Sequence, residues 1–349
     1  MKQFDFVIIG FGIAGATITR ELTQRGHSVL VLDSGKNTAT TIAGGTIHPA
    51  VLRYYNKVWR GDEFWPKAKL FYQSLAKEWQ VPLIQTKSLI RVFATQDESS
   101  QWQEKRKDPF WHQYLSPLDQ DKSSPLPFVK TPYGFGRSEE FWRFDPAFLL
   151  DTYRQKLIES GNYIKAELSF DAQDVLLDQI KDLGYQSERV VLAQGYQQTF
   201  WPNLPQGNPI ASKQGQYIII ECAGLKLTGV LKSKFFIIPL GQDRYQVGAT
   251  YPRVNDQMAI EESQNRIIAD LDALLELPYQ ILDYWTGTRP GTKDRRPILG
   301  ALGTQKNVYV FNGLNSRGLL MAPLLSSWLA DYMLNDKALP EEVSINRFF

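Results

Sequence analysis

The chain carries a single cysteine, Cys222, and only 3 histidines in 349 residues. One thiol excludes an intrachain disulfide and a multi-thiolate metal site, and so few imidazoles leave little for a zinc or haem centre. A reducing, cytoplasmic setting is the natural expectation. Charge of one sign is missing as well: Lys+Arg 39 against Asp+Glu 37 leaves +2, which supplies no net field to hold a polyanion. Nucleic acid is therefore not favoured as a partner, although a local basic patch is compatible with the total. No apolar run reaches the roughly 18 residues needed to cross a bilayer, since YIII at Tyr217 to Ile220 and FFIIPL at Phe235 to Leu240 have only strand length. The expectation is a soluble protein with no membrane partner. Internal repeats and low-complexity tracts are absent, which removes solenoids and disordered scaffolds.

What remains is ordinary core material and many rings. Hydrophobic residues at 43% and charged residues at 22% support at least one large core, and at roughly 100–200 residues per domain the length suggests two domains. The aromatic share is 13%, with 9 Trp and 16 Tyr; such rings pack cores and also wall pockets for planar ligands. The N-terminus, MKQFDFVIIGFGIAG, has too short an apolar core for a signal peptide and is interrupted by Asp5, so it belongs to the fold.

Phe6 to Ile9 reads as a buried strand, Ile13 to Arg25 as a helix closed by Gly26, and Ser28 to Leu32 as a second strand, the order of a parallel sheet. Asp145 and Pro146 read as N-cap and first position of a helix running to Gly161, with Phe148, Leu149, Tyr153 and Leu157 towards a core. Arg189 to Ala193 is another buried strand, so the sheet resumes after an interruption. Between these parts, Asp97 to Pro132 is polar, Pro-rich and Trp-dotted, which predicts an irregular, lid-like segment. From Gln216 to Thr250 alternating strands predict an antiparallel sheet, followed by a helix over about 260–277, the strand ILDYWTG and a helix over about 318–334. Pro323 is tolerable there only near the start.

Gly10-Phe11-Gly12-Ile13-Ala14-Gly15 follows a strand and opens a helix, and Asp33 ends the next strand 23 residues after Gly10. The first glycine permits the turn, the second lets backbone N–H groups approach a pyrophosphate, and the third allows close helix–strand contact. The helix N-terminus adds partial positive charge, and Asp33, with Ser34 beside it, is placed to take the ribose hydroxyls. These features predict dinucleotide binding. They do not by themselves separate NAD from FAD, and an NAD-dependent dehydrogenase stays open; the long interruption before the sheet resumes near residue 190 fits a flavoprotein with a split cofactor domain.

With GFGIAG, the segments AGGTIHP (43–49), VVLAQG (190–195), IIPLGQDRYQVGATY (237–251), TGTRPGTKDRRPILG (286–300) and VYVFNGLNSRGLLMAP (308–323) resemble, in order and spacing, the D-amino-acid oxidase-like family of FAD-dependent oxidoreductases, in its glycine oxidase and sarcosine oxidase branch. The resemblance covers most of the chain. It implies an α/β fold: a Rossmann-like FAD-binding domain assembled from 1–57, 141–208 and 294–349, and a substrate domain with a mixed, largely antiparallel sheet from 58–140 and 209–293. It also implies non-covalent FAD, an amine or amino-acid substrate oxidised at its C–N bond by hydride transfer to flavin N5, and dioxygen or another electron acceptor.

By the same resemblance Arg289 pairs with the substrate carboxylate, with a structural ion pair as its other possible use, and His48, Tyr251 and Phe236 belong to the substrate side. The cofactor set is Gly10, Gly12, Ile13, Ala14, Gly15, Asp33, Ser34, Ala43, Gly44, Gly45, Ala193, Gly195, Gly287, Gly313, Leu314, Asn315, Ser316, Arg317 and Gly318. Within it, the helix after Asn312 to Gly318 faces the flavin pyrimidine, and Ala43 to Gly45 pass along the ring. Arg317 either lies near the isoalloxazine or faces solvent; His48 either faces substrate or is a hydrogen-bonded turn residue.

Three departures stand out. Phe236 replaces the tyrosine that glycine oxidase-like proteins carry. Cys222 lies away from the site of covalent flavin attachment in sarcosine oxidases, whose lysine position reads Leu320. Thr46 to Tyr55 is more like an uncharacterised bacterial branch and, distantly, the flavin domain of a bifunctional tRNA wobble-uridine modification protein. A glycine-type modification on tRNA is therefore the alternative substrate, with Lys57, Arg60, Lys67 and Lys69 either a basic face or the solvated side of a helix. A non-catalytic flavin- or partner-binding protein is the alternative of another class.

Overall fold

The computed structural model describes residues 1–36, 39–52, 55–118, 127–168, 173–198, 207–250, 257–302 and 307–349. Among them the chain builds two large sheets, a three-stranded one and a two-stranded ribbon, Ala50–Val51 with Asn56–Lys57. The first has six strands in the order Tyr163–Lys165, Val29–Asp33, Lys2–Ile9, Tyr185–Leu192, Val308–Asn312 and Ile298–Ala301. The first five run parallel and the last antiparallel. Parallel pairing demands cover on both faces. Phe6, Ile8, Val29 and Val31 point to the side of helices Ile13–Gln24 and Gly318–Asn335; Val7, Ile9, Leu30 and Leu32 point to helix Gln173–Asp182. The strand at the start of the chain thus lies inside a parallel sheet beside Val29–Asp33, in the expected β-α-β order.

The second sheet has seven strands, in the order Gln280–Arg289, Lys213–Glu221, Arg244–Thr250, Phe236–Gly241, Val230–Lys232, Leu89–Val92 and Phe135–Ser138. Only the Val230–Lys232 and Leu89–Val92 pair is parallel. Helix Gln257–Leu274 covers one face, where Ile267 and Leu271 meet Ile218, Ile220, Ile237 and Val247. The opposite face carries Phe236 and Ile238. Between the large sheets stands a three-stranded one, Thr46–Ile47, Trp142–Phe144 and Ile84–Thr86.

Two expectations are corrected. The segment from Asp97 is not irregular over its described part. Helices Gln96–Arg106 and Pro109–His112 are capped by Thr95 and Asp108, and they bury Trp102, Trp111 and Tyr114 in an aromatic cluster with Tyr55, Phe93 and Phe141; residues 119–126 lie outside the described set. The polar sequence hides three large rings at spacings too uneven for an amphipathic pattern. Asp145 caps helix Pro146–Glu159 through Phe148 N–H, as expected, but the Phe148 ring is 42% exposed. It sits at the third helical position, where capping fixes its backbone and the side chain points outward.

Pro323 lies within helix Gly318–Asn335 and has no N–H for the carbonyl of Leu319, four residues earlier. The buried Tyr72 hydroxyl donates to that oxygen at 2.8 Å, joining helix Gly61–Trp79 to the last helix. Burial without this bond leaves an orphan acceptor, a cost of about 1–3 kcal/mol. Tyr72→Phe is therefore expected to lower unfolding free energy in urea by that amount. The loss should shrink when Pro323→Ala restores the helical donor; equal losses in both backgrounds would contradict this account.

Candidate functional site

The glycine turn closes on itself at contact distance. A Cβ at Gly15 would lie 1.9 Å from the Gly10 carbonyl oxygen, and one at Gly10, whose φ is +94°, would lie 2.6 Å from the Ala193 oxygen. Gly10, Gly15 and Ala193 thus form one packed knot at the carboxyl ends of adjacent strands. Gly12 opens the helix with no side-chain cap, which leaves N–H groups of the first turn directed outward. Thr40, absent from the sequence assignment, reaches this helix end, its hydroxyl accepting the Ile13 N–H at 3.1 Å.

Asp33 is 6% exposed, and its carboxylate accepts from Phe11 N–H at 2.9 Å, Gly35 N–H at 2.9 Å and the Tyr163 hydroxyl at 2.8 Å. A carboxylate has about four acceptor positions. Roughly one is left for a ribose hydroxyl, because three protein donors use Asp33 to lock the glycine turn onto its neighbouring strands. Ser34 beside it is half-buried. An open turn, a helix end whose N-cap residue has no side chain and a buried acid are the donor and acceptor set that a dinucleotide requires.

The second helix end lies against the first: a Cβ on Gly318 would meet Ile13 Cγ2 at 2.8 Å. The loop before it is fixed by asparagines. Asn312 donates to the Gly195 carbonyl and accepts the Gly313 N–H, both at 2.8 Å; Asn315, at φ +53°, donates to the Gly313 carbonyl at 2.7 Å and accepts the Thr292 N–H at 3.3 Å. Leu314 is buried, Ser316 exposed and Arg317 half-buried. Through the Asn315 N–H to the Pro290 carbonyl, 3.3 Å, the loop is tied to the turn that follows Arg289.

Ala43, Gly44 and Gly45 lead from the first sheet, past the seven-stranded one, into strand Thr46–Ile47 under tight constraint. A Cβ at Gly44 would meet Ile238 Cδ1 at 2.5 Å, one at Gly45 the Phe144 carbonyl at 2.1 Å, and one at Gly287 the Ile42 side chain at 1.9 Å. Gln246, also unassigned from sequence, donates to the Ile42 carbonyl at 2.8 Å. Gly287 therefore faces the crossing segment, and the pleat puts Arg289, two residues on in the same strand, on that face as well. Its partner in register is Lys213. Two cations directly opposite each other are unfavourable unless an anion lies between or beside them.

His48 is 4% exposed; its Nδ1 meets the Ala50 backbone at 3.1 Å and its Nε2 lies 3.4 Å from the Ser138 hydroxyl. The ring packs on Tyr114 and Phe141 with centroids at 5.0 and 5.9 Å. Burial chiefly, with a contribution from the Arg317 charge and against the Ala50 hydrogen bond, drives its pKa down to about 4. Phe141 in turn lies 6.4 Å from Phe236, whose ring also carries Lys232 Nζ at 4.7 Å. His48, Arg317 and Phe236 thus share one neighbourhood. Tyr251 lies outside the described residues.

The profile of the DAO family, described as FAD dependent oxidoreductase, matches residues 5–332. Among curated proteins, the tRNA 5-methylaminomethyl-2-thiouridine biosynthesis bifunctional protein MnmC of Legionella pneumophila (strain Corby) is 23% identical over 93% of this chain and 53% of its own length. The Bifunctional protein ThiO/ThiG of Trichormus variabilis is 25% identical over 96% of this chain and 53% of its own. The chain spans about half the length of these relatives. Glycine oxidase from Geobacillus kaustophilus has the same fold, with a TM-score of 0.75 and 19% identity over 97% of this chain and 96% of that one. No described helix is long and apolar enough to cross a membrane. The knotted glycine turn, the two abutting helix ends and the match across nearly the whole chain lead to one conclusion: the chain belongs to the DAO family of FAD-dependent oxidoreductases.

Proposed function

We propose that the chain oxidises the C–N bond of a small amine or amino acid, with Arg289 holding the substrate carboxylate and FAD bound without a covalent link. The observation that carries this reading is the placement of Arg289: it emerges opposite Lys213, on the face of the seven-stranded sheet that meets the Ile42–Gly45 crossing, and its turn is tied to the uncapped end of the last helix. A planar guanidinium matches both carboxylate oxygens and fixes the Cα between its substituents. FAD, when bound, would supply the two-electron acceptor for oxidising the substrate's C–N bond to C=N, which water then hydrolyses.

Gly10, Gly12, Ile13, Ala14, Gly15 and Asp33 would hold the adenosine and pyrophosphate end, and Ala43 to Gly45 with Gly313 to Gly318 the ring end. The helix end at Gly318 favours negative charge beside it. No side chain is required as base when the amine binds neutral, and positioning carries much of the rate. His48 stays neutral and holds its turn; it keeps one more cation away from Arg317. Cys222 supports non-covalent binding: it is buried in the core on the helix-covered face of the seven-stranded sheet, with Sγ 3.5 Å from the Pro278 carbonyl. The electrons pass on to dioxygen or another acceptor.

The curated relatives' names bring back a tRNA uridine as substrate. Three of the four basic residues behind that reading are engaged in the fold: Lys57 lies on the Phe110 ring, Arg60 pairs with Glu63 and stacks on Trp328, and Lys69 pairs with Glu140. A free amino acid is favoured.

The test compares a small amino acid with its carboxamide. Arg289→Ala is expected to lower kcat/KM for the acid by roughly thirtyfold or more, as loss of a desolvated charge pair costs about 2–5 kcal/mol, with little change for the amide. Equal effects on both would remove Arg289 from the carboxylate. For His48 the expectation concerns acid stability. The unfolded imidazole titrates near 6.5 and the folded one near 4, so the unfolded state binds more protons between those values and stability falls as pH falls through them. The loss amounts to about 3 kcal/mol. In urea unfolding at pH 6.5 and 4, His48→Gln should lose correspondingly less; identical pH dependence would contradict a neutral buried His48.

A further inference from the structure

Arg143 is a charged residue of this neighbourhood that neither the fold nor the proposed chemistry uses. It is 3% exposed, and its Nε is enclosed with no hydrogen-bond partner. No described carboxylate forms an ion pair with it. The other buried arginine among the described residues, Arg91, is treated quite differently: it pairs with Glu98 at 2.9 Å and donates to the Ser233 carbonyl. The acid whose field acts on Arg143, Asp145, is committed to capping helix Pro146–Glu159. A guanidinium taken out of water without a counter-charge is costly, and such sites persist where an anion completes them.

Its orientation is set by the small sheet. Trp142 and Phe144 enter the core against helices Gly61–Trp79 and Gly318–Asn335, so Arg143 between them projects from the opposite face. Directly across from it is Thr46, half-buried and the residue after Gly45. His48 shares that face, two residues beyond Thr46, and touches Phe141, which touches Phe236. The face carrying Arg143 is therefore turned towards the face of the seven-stranded sheet from which Phe236, Ile238 and Arg289 emerge, with the glycine crossing alongside.

We propose that Arg143 is a second anion-binding residue of the amine site, so that the preferred substrate carries a second acidic group besides the carboxylate held by Arg289. This rests on the carboxylate reading of Arg289 given above and sharpens it to a substrate class, dicarboxylic amines. Bidentate pairing with a carboxylate would satisfy the guanidinium edge whose Nε has no protein partner.

The test uses unreactive acids as probes on the FAD-loaded protein, read by the visible difference spectrum of the flavin: propionate against succinate and glutarate. The native protein should bind at least one of the two diacids tenfold or more tighter than propionate. In Arg143→Met that preference should vanish while propionate affinity stays within about twofold and FAD stoichiometry is unchanged; Arg143→Lys should keep part of it. In thermal unfolding the diacid should raise the Tm of the native protein and not that of Arg143→Met, and ligand-free Arg143→Met should melt no lower than the native protein. An unchanged diacid preference in Arg143→Met, or native protein that binds propionate as well as either diacid, overturns the proposal alone. Reduced FAD uptake by Arg143→Met also overturns it, by assigning the residue to the cofactor. A native flavin that responds to none of the three acids overturns the carboxylate reading of Arg289 and this inference together.

Discussion

The stretch from Thr40 to Ile47 is the constraint on which the rest of the site depends. It leaves the glycine turn through Thr40, passes between the two large sheets, and ends as an edge strand of the small one. It fits only because three positions lack side chains: Gly44 against Ile238, Gly45 against the Phe144 carbonyl, and Gly287 against Ile42. At interior packing densities none of these contacts leaves space for a methyl group. Because the crossing is fixed, Arg289 and Phe236 on one sheet acquire a definite position relative to the helix ends on the other.

Polarity is arranged around that crossing in a consistent way. The helix end at Ile13 and the one at Gly318 adjoin, and neither N-cap residue caps through its own side chain; apart from the Ile13 N–H taken by Thr40, both offer N–H groups and partial positive charge to whatever lies beside them. Arg289, Lys213 and Arg317 add full charges near the same seam, and Arg143 adds one in the proposed second anion site. Against them stands Asp33, spent mostly on holding the glycine turn. His48, kept neutral by burial, adds none. Such a seam suits anionic ligands: a dinucleotide at one end and a carboxylate at the other. The aromatic excess of the sequence is used chiefly behind the seam, where Trp102, Trp111, Tyr114 and Phe141 pack the wall that supports His48 and Phe236.

Much of the first sheet was legible in the sequence because its signals are local: an apolar strand, a glycine turn, a helix closed by glycine and an acid at a fixed spacing all fall within residues 2–33. The antiparallel sheet and Asp145 as an N-cap were legible for the same reason. The helices after Thr95 were not, since their buried rings, Trp102 and Trp111, are too few and too widely spaced to give a helical period, and tertiary packing alone makes them core. The assignment of Phe148 to the core failed where the cap decided the first turn. Thr40 and Gln246 carry no local signal either: each matters only because the crossing brings distant segments together. Arg143 is the sharpest case, an arginine in a three-residue strand whose meaning lies wholly in the missing counter-charge.

The account stands or falls on whether this seam binds a flavin and passes it electrons from an amine. The direct measurement is the visible absorption of the purified, FAD-loaded protein during anaerobic addition of small amino acids, mono- and dicarboxylic. The account predicts a bound oxidised flavin whose visible band bleaches on addition of at least one of them and returns when air is admitted or another acceptor is added. A protein that takes up no FAD, or one whose bound flavin stays oxidised with every amine, would contradict it.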